Sequence, residues 1–221
     1  MSIFRSRILS VLLVSASLMI YATSAFSEET IKVAIKSTMG EIIVELFPEK
    51  APKTVDNFLR YVKSGHYSNT IFHRVIDNFM IQGGGLDKNM KEKPTSKPVL
   101  LEASYALERG LKNEIGTIAM ARTNEPNSAK AQFFINVNDN AFLNHQVLPV
   151  GNPVQFSRNG EEVTLPRDKA LLATAGYTPF GKVISGMEVV EKIKSVKTGN
   201  VGMMPNVPND PIIIESIKLL Q

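Results

Sequence analysis

Between Phe72 and Gly85 the chain reads Phe-His-Arg-Val-Ile-Asp-Asn-Phe-Met-Ile-Gln-Gly-Gly-Gly, and four of these side chains could act together on a ligand. Arg74 is a fixed cation, Phe79 and Met80 are apolar, and Gln82 is an amide. The β-branched and aromatic residues from Ile71 to Ile76 favour a strand. Asp77-Asn78 is a turn signal, and Phe79 to Gln82 starts a second short strand. So tight a turn brings the four side chains close to one another. A guanidinium beside apolar surface and an amide suits an apolar group that carries a carbonyl. The same residues also suit an ordinary buried hairpin whose arginine is merely solvated, and this segment alone leaves both readings open.

Three further segments follow in order. They are Gly116-Thr117-Ile118-Ala119-Met120-Ala121-Arg122, Ala131-Gln132-Phe133-Phe134-Ile135, and Phe180-Gly181-Lys182-Val183-Ile184 with Gly186-Met187 behind it. Together with F-H-R-V-I-x-x-F-M-I-Q-G-G they resemble the signature of the cyclophilins, the cyclosporin-binding class of peptidyl-prolyl cis-trans isomerase. The resemblance covers roughly residues 31–144 and 176–220. The M-A-R and N-A-F-L spellings are most similar to the bacterial periplasmic members.

That resemblance implies a reaction and a role for each residue. Arg74 matches the family's catalytic arginine, and Gln82 the amide that orients it and can bond the substrate backbone. Phe79, Met80, Phe134 and Leu143 match the walls of a proline pocket, where aromatic and thioether surfaces receive a ring. Gln132 matches a second amide along the groove. Ala121 and Arg122 match the edge that holds the residue before proline as a short antiparallel strand. His73 is expected to be a structural neighbour and not a proton carrier. Three positions depart from the family. Arg122 replaces the usual Asn and would set a cation over the residue preceding proline. Phe142 stands where many members have a Trp that contacts cyclosporin, which removes an indole donor; weak cyclosporin binding is the expectation. Tyr177 stands in place of a pocket-side His, a tolerable exchange in a reaction that moves no proton.

The elements that must position these residues can also be read. Ile31–Ile35 and Ile42–Leu46 bracket a hairpin turn at Ser37–Gly40. Pro52 opens a helix to Ser64 with Val55, Phe58, Leu59 and Val62 on one face, and Gly65 stops it. Strands are expected near 71–76, 79–82, 117–121 and 132–137, with a second helix from Met187 to Val196. A last strand runs from Ile212 to Leu220, with Ile212, Ile214 and Ser216 on one face and Ile213, Glu215 and Ile217 on the other. Many strands and two separated helices suggest a mainly β fold. The resemblance implies a closed eight-stranded antiparallel barrel capped by the two helices, its interior filled and its substrate groove outside.

Residues 145–175 have no counterpart in the resemblance. Val154 to Leu165 reads as a hairpin with Asn159-Gly160 in a type I′ turn. Its register pairs Arg158 with Glu161, Phe156 with Val163 and Val154 with Leu165, so opposite charges flank the turn and apolar pairs share a face. Asp168 is expected to cap a short helix through Leu172. An ordered flap is predicted. Because both its ends lie beside the pocket, it could be a lid or docking surface, or simply a tolerated insertion, since lengthening a loop costs little entropy.

Residues 1–25 are expected to be a signal peptide. Arg5 and Arg7 form a positive n-region, the apolar run from Ile8 to Ile20 is shorter than a membrane span, and Ala22 to Ala25 offers small residues for cleavage. The expected mature part, residues 26–221, is one isomerase domain, exported to the periplasm. The formal charge of +4 includes the two arginines of that leader. The remainder is too small to suggest nucleic acid, and no membrane association is expected after cleavage. The chain has no Cys, and His66, His73 and His145 match no metal-ligand spacing, so no cofactor or metal is expected. Proline-containing peptides and unfolded exported proteins are the expected partners of a monomer. A non-catalytic proline-peptide-binding or chaperone module on the same fold is the alternative. A hydrolase finds little support, because there is no G-x-S-x-G elbow.

Overall fold

The computed structural model describes residues 30–158 and 160–220, so the expected signal peptide and Asn159 of the flap turn lie outside the described residues. Eight strands close on themselves, each antiparallel to its neighbours. In chain order they begin with β1 (Ile31–Ser37) and β2 (Gly40–Leu46), joined by the expected turn. Helix α1 (Pro52–Lys63) follows, then β3 (Thr70–Ile76) and β4 (Met80–Asp87), the two strands of the Arg74 hairpin. After α2 (Ala103–Glu108) come β5 (Thr117–Met120) and β6 (Phe133–Asn136). The flap supplies β7 (Val154–Arg158), β8 (Glu161–Leu165) and α3 (Arg167–Ala173). The chain ends with β9 (Pro179–Ser185), α4 (Met187–Lys194), β10 (Thr198–Val201), β11 (Met204–Pro208) and β12 (Ile212–Leu220). Around the barrel the order is β1-β12-β3-β4-β6-β5-β9-β2, and β7-β8 and β10-β11 are separate ribbons.

One core fills the barrel. Phe72, Ile81, Ile118, Phe133 and Ile135 point inward, and α1 adds Phe58, whose ring meets Tyr67, Phe133 and Phe180 at centroid distances of 5.1–5.8 Å. Helix α4 buries Val189, Val190 and Ile193 in the same core. The apolar faces read from the sequence are therefore the faces that pack. The N-terminus of α1 has no capping side chain of its own, since Ala51 precedes it. Glu102 supplies one from across the fold. Its buried carboxylate accepts hydrogen bonds from the backbone N–H groups of Lys53 (3.1 Å) and Thr54 (2.8 Å) and from the Thr54 hydroxyl (2.8 Å). An anion there satisfies orphan donors and complements the positive end of the helix dipole.

The structure departs from the sequence reading in four places. The strand β4 begins at Met80 and continues through three glycines to Asp87, well past Gln82. Glycine is required because the neighbours are close: a Cβ on Gly83 would lie 2.9 Å from the Ile71 carbonyl oxygen. In β12 the alternation breaks, since Ile212, Ile214 and Ile217 are all buried while Glu215 is exposed. A bulge explains it: Lys36 pairs with Ser216, but the next residue, Ser37, pairs with Ile214, which flips the facing. Asp168 sits in the first turn of α3, with Pro166 at the cap position, and makes no capping hydrogen bond. Finally, α2 and the β10-β11 ribbon were not anticipated from the sequence. The flap hairpin has the expected register throughout, from Val154–Leu165 to Arg158–Glu161.

Candidate active site

The period of two along the strands sorts side chains between two apolar clusters. Ile81, Ile118, Phe133 and Ile135 enter the barrel core, so their neighbours Met80, Ala119 and Phe134 must face outward. Three adjacent strands thus present a second apolar cluster on the outer surface of the barrel. Leu143 completes its buried floor, and Phe79, Ala121 and Tyr177 close over it, half-buried. Tyr177 stands edge-on to Phe134, with ring centroids 5.7 Å apart. Phe142 stacks on Phe79 at 5.6 Å with its other face in solvent, 60% exposed. The result is a small apolar cup open to the outside.

A polar chain runs beside it. Arg74 on β3 is the cross-strand partner of Gln82 on β4, and Arg74 Nη1 donates to Gln82 Oε1 at 3.4 Å. Gln82 Nε2 in turn donates to Gln132 Oε1 at 2.9 Å. The amide of Gln82 is therefore fixed at both ends: its oxygen faces the guanidinium because its nitrogen is engaged. Arg74, half-buried, lines the same cleft as Phe79, Phe142, Leu143 and Tyr177. The cleft encloses about 850 Å³ and is broadly open to solvent.

Of the residues singled out from the sequence, Arg74, Phe79, Phe142, Leu143 and Tyr177 line the cleft, Gln82, Ala121 and Gln132 line a second recess, Arg122 borders both, and Met80 and Phe134 form the buried floor of the cup; two details are not foreseeable from the motifs. Arg122 is not a free cation above the groove. Its Nε donates to the Gly176 carbonyl (2.9 Å), its Nη1 to the Thr123 carbonyl (2.8 Å), and its guanidinium lies 4.5 Å from the centre of the Tyr177 ring. Two of the three positions where the resemblance implied a departure are therefore in contact, a cation over a phenol ring. The walls also rest on a buried amide network that the motifs did not reveal. Asn113 Nδ2 donates to the carbonyls of Leu143 and Tyr177, both at 3.3 Å. Asn136 Nδ2 reaches Asn113 Oδ1 (3.4 Å), and Asn140 Nδ2 reaches Asn136 Oδ1 (2.7 Å) and the Phe79 carbonyl (2.8 Å). The alternating Asn136, Asn138 and Asn140 at the end of β6 are the available signal. Such a satisfied network fixes the cup's rim to the barrel.

His73 lies beneath the surface with its Nδ1 lacking a hydrogen-bond partner. Burial pushes its pKa down to about 4, so it is a neutral imidazole at physiological pH. It does not line the cleft. Among the described residues no group of three His, Cys, Asp or Glu side chains is placed to hold a metal ion.

A filled antiparallel barrel carries an apolar cup and an arginine–glutamine pair side by side on its outer surface. The sequence profile of cyclophilin-type peptidyl-prolyl cis-trans isomerases matches residues 30–219. Peptidyl-prolyl cis-trans isomerase B of Escherichia coli K12 is 49% identical over 185 residues, covering 84% of this chain and 97% of that protein. The isomerase cyp18 of Streptomyces antibioticus is 48% identical over 188 residues, covering 85% and 98% respectively. Among solved structures, a cyclophilin-type isomerase of Cryptosporidium parvum superposes with a TM-score of 0.60 at 26% identity, covering 87% of this chain and 98% of that one. The same protein has also been solved in the presence of the dipeptide Ala-Pro, with a TM-score of 0.59 at 26% identity over 86% of this chain and 99% of that one. The chain belongs to the cyclophilin family and is a peptidyl-prolyl cis-trans isomerase.

Proposed function

We propose that Arg74 drives the isomerisation by donating to the prolyl nitrogen of a substrate whose ring fills the cup of Phe79, Met80, Phe134 and Leu143. Rotation about an Xaa-Pro bond breaks amide resonance over a barrier of roughly 18–20 kcal/mol. Uncatalysed exchange takes tens to hundreds of seconds. Turnover of order thousands per second requires lowering that barrier by roughly 7–8 kcal/mol. In the ground state the nitrogen lone pair is delocalised and a poor acceptor. In the twisted state the nitrogen becomes pyramidal and accepts a hydrogen bond. A cationic donor beside it therefore stabilises the twisted state selectively. A guanidinium suits this role because it stays charged and holds its donors in a rigid fork.

The observation that carries the reading is the placement of Arg74 at the edge of an outward-facing apolar cup, with Gln82 locked by Gln132 to receive it. The Ala-Pro dipeptide present with the Cryptosporidium parvum structure supports a proline-containing ligand. We further propose that Gln132, Ala121 and Arg122 border the segment before proline, with Ala121 presenting backbone groups. The charged, then apolar, then small-residue pattern of residues 1–25 supports export, which makes periplasmic folding proteins the natural substrates. With Phe142 in place of Trp, cyclosporin should inhibit weakly. The deciding experiment is the isomerisation rate of an Ala-Pro peptide. Replacing Arg74 by Ala should lower kcat/KM by about a hundredfold or more, as loss of a preorganised donor does in other enzymes. Equal rates for the two proteins would remove the mechanism.

A further inference from the structure

The flap forms one side of the cleft. Arg158, at the end of β7, and Lys169, on α3, line the same space as Arg74 and Arg122. Glu125 is the one carboxylate among the residues lining it, so four permanent cations face a single negative charge. Arg158 and Lys169 are exposed, and neither makes an ion pair among the described residues, although Glu161 lies opposite Arg158 in the ladder. They are not on a loose tether. Val154, Phe156 and Ala170 form a small core that holds the ribbon against α3. At the neck, Gln146 N–H donates to the Thr174 carbonyl at 3.0 Å and Tyr177 N–H to the Leu143 carbonyl at 2.8 Å. Arg122 is committed to Gly176 and Tyr177. Arg158 and Lys169 are the uncommitted charges that the insertion adds to the groove, and a cleft in which one sign of charge predominates concentrates ligands of the other.

We infer that the flap is a charge-selecting wall of the groove, favouring Xaa-Pro segments with Asp or Glu close to the proline, with Arg158 and Lys169 as the specificity determinants. The inference rests on the cleft being the isomerase groove. It is tested by binding as well as turnover. Three capped peptides share an Ala-Pro centre and differ only in flanking residues, which are Glu, Gln or Lys. Fluorescence anisotropy gives their affinities, and exchange spectroscopy gives their isomerisation rates. The Glu peptide should bind roughly fivefold more tightly than the Gln peptide at low salt, the range expected for two exposed charge pairs, and the Lys peptide most weakly. That preference should disappear in the double variant R158Q/K169Q and in about 0.5 M salt, where screening shortens the reach of each charge. The variant K63Q/K218Q removes the same charge from exposed sites outside the cleft and should keep the preference. Equal affinities in the unaltered protein would overturn the inference. So would a preference that survives R158Q/K169Q, or one that K63Q/K218Q abolishes equally. Failure of the isomerase mechanism would show separately, as no acceleration of even the Gln peptide, while the affinity ratios still decide the role of the flap.

Discussion

The Gln82 side chain is the most informative single perturbation. Its bond from Arg74 is long, at 3.4 Å, and its bond to Gln132 is of normal length, at 2.9 Å. The first holds Arg74 weakly and the second holds the holder. Replacing Gln82 by Leu removes both and leaves the arginine free to turn toward solvent. Each such bond contributes about 0.5–1.5 kcal/mol net. The site is half-exposed, so water can replace the lost partner of Gln132 and global stability should change by less than about 1 kcal/mol. On the proposed mechanism the transition state uses the guanidinium in one place and should lose about 1–2 kcal/mol, or roughly 5- to 30-fold in kcat/KM. The assay is isomerisation of an Ala-Pro peptide by the single variants Q82L and R74A and by the double variant. If Gln82 acts through Arg74, its substitution should matter little once Arg74 is already Ala. A Q82L protein within twofold of the parent would refute the positioning role, and so would an equal loss in both backgrounds.

Other outcomes follow from the same geometry. A Cβ at Gly85 would overlap Gln132 Cγ, so Gly85→Ala must displace that side chain and break its bond to Gln82. About a 3- to 10-fold fall in kcat/KM is expected, and an unchanged rate would dissociate Gln132 from catalysis. Substituting Glu102 by Ala strands three donors at the start of α1 and should cost about 2–4 kcal/mol. A lower urea midpoint at constant m-value would show it, and a loss under about 1 kcal/mol would deny the cap its importance. His73 is held neutral by burial, with a folded pKa of about 4 against 6.5 in the unfolded chain. Below pH 6.5 the unfolded state takes up the proton first, so stability falls as pH drops toward 4 and levels off beneath it. The limit is about 3 kcal/mol from this residue, and His66, also depressed mainly by burial, acts in the same direction. A nuclear magnetic resonance titration showing His73 protonating near pH 6.5 would contradict this.

Much of the architecture was legible because local and tertiary preferences coincide. Pro52, the Val55–Val62 face and Gly65 mark α1 without ambiguity, and the charges and apolar pairs of the flap set its register before any contact is known. What escaped reading depends on distant partners. The facing of β12 changes at a bulge that no side-chain pattern announces. The β10-β11 ribbon escaped because Thr198–Val201 is exposed throughout and so carries no alternation. The partners of Arg122, Gly176 and Tyr177, stand more than fifty residues along, so the sequence shows a cation at this position but not what holds it. Glu102 gave no hint of capping a helix that ends long before it in sequence.

The neck of the flap has a consequence for engineering. Its two limbs leave and return side by side, and Gly176 packs so close to the chain at His145 that an added Cβ would lie 2.5 Å from the backbone nitrogen. With a positive φ of 75° as well, that glycine acts as a clasp. Whatever lies between the limbs can be shortened, lengthened or exchanged without altering the register of any barrel strand. Val154, Phe156 and Ala170 give the insert a small core of its own, separate from the one that fills the barrel. If the flap selects peptides as inferred, a protein engineer could change that choice by grafting a different ribbon onto the same clasp while leaving Arg74 and the cup untouched.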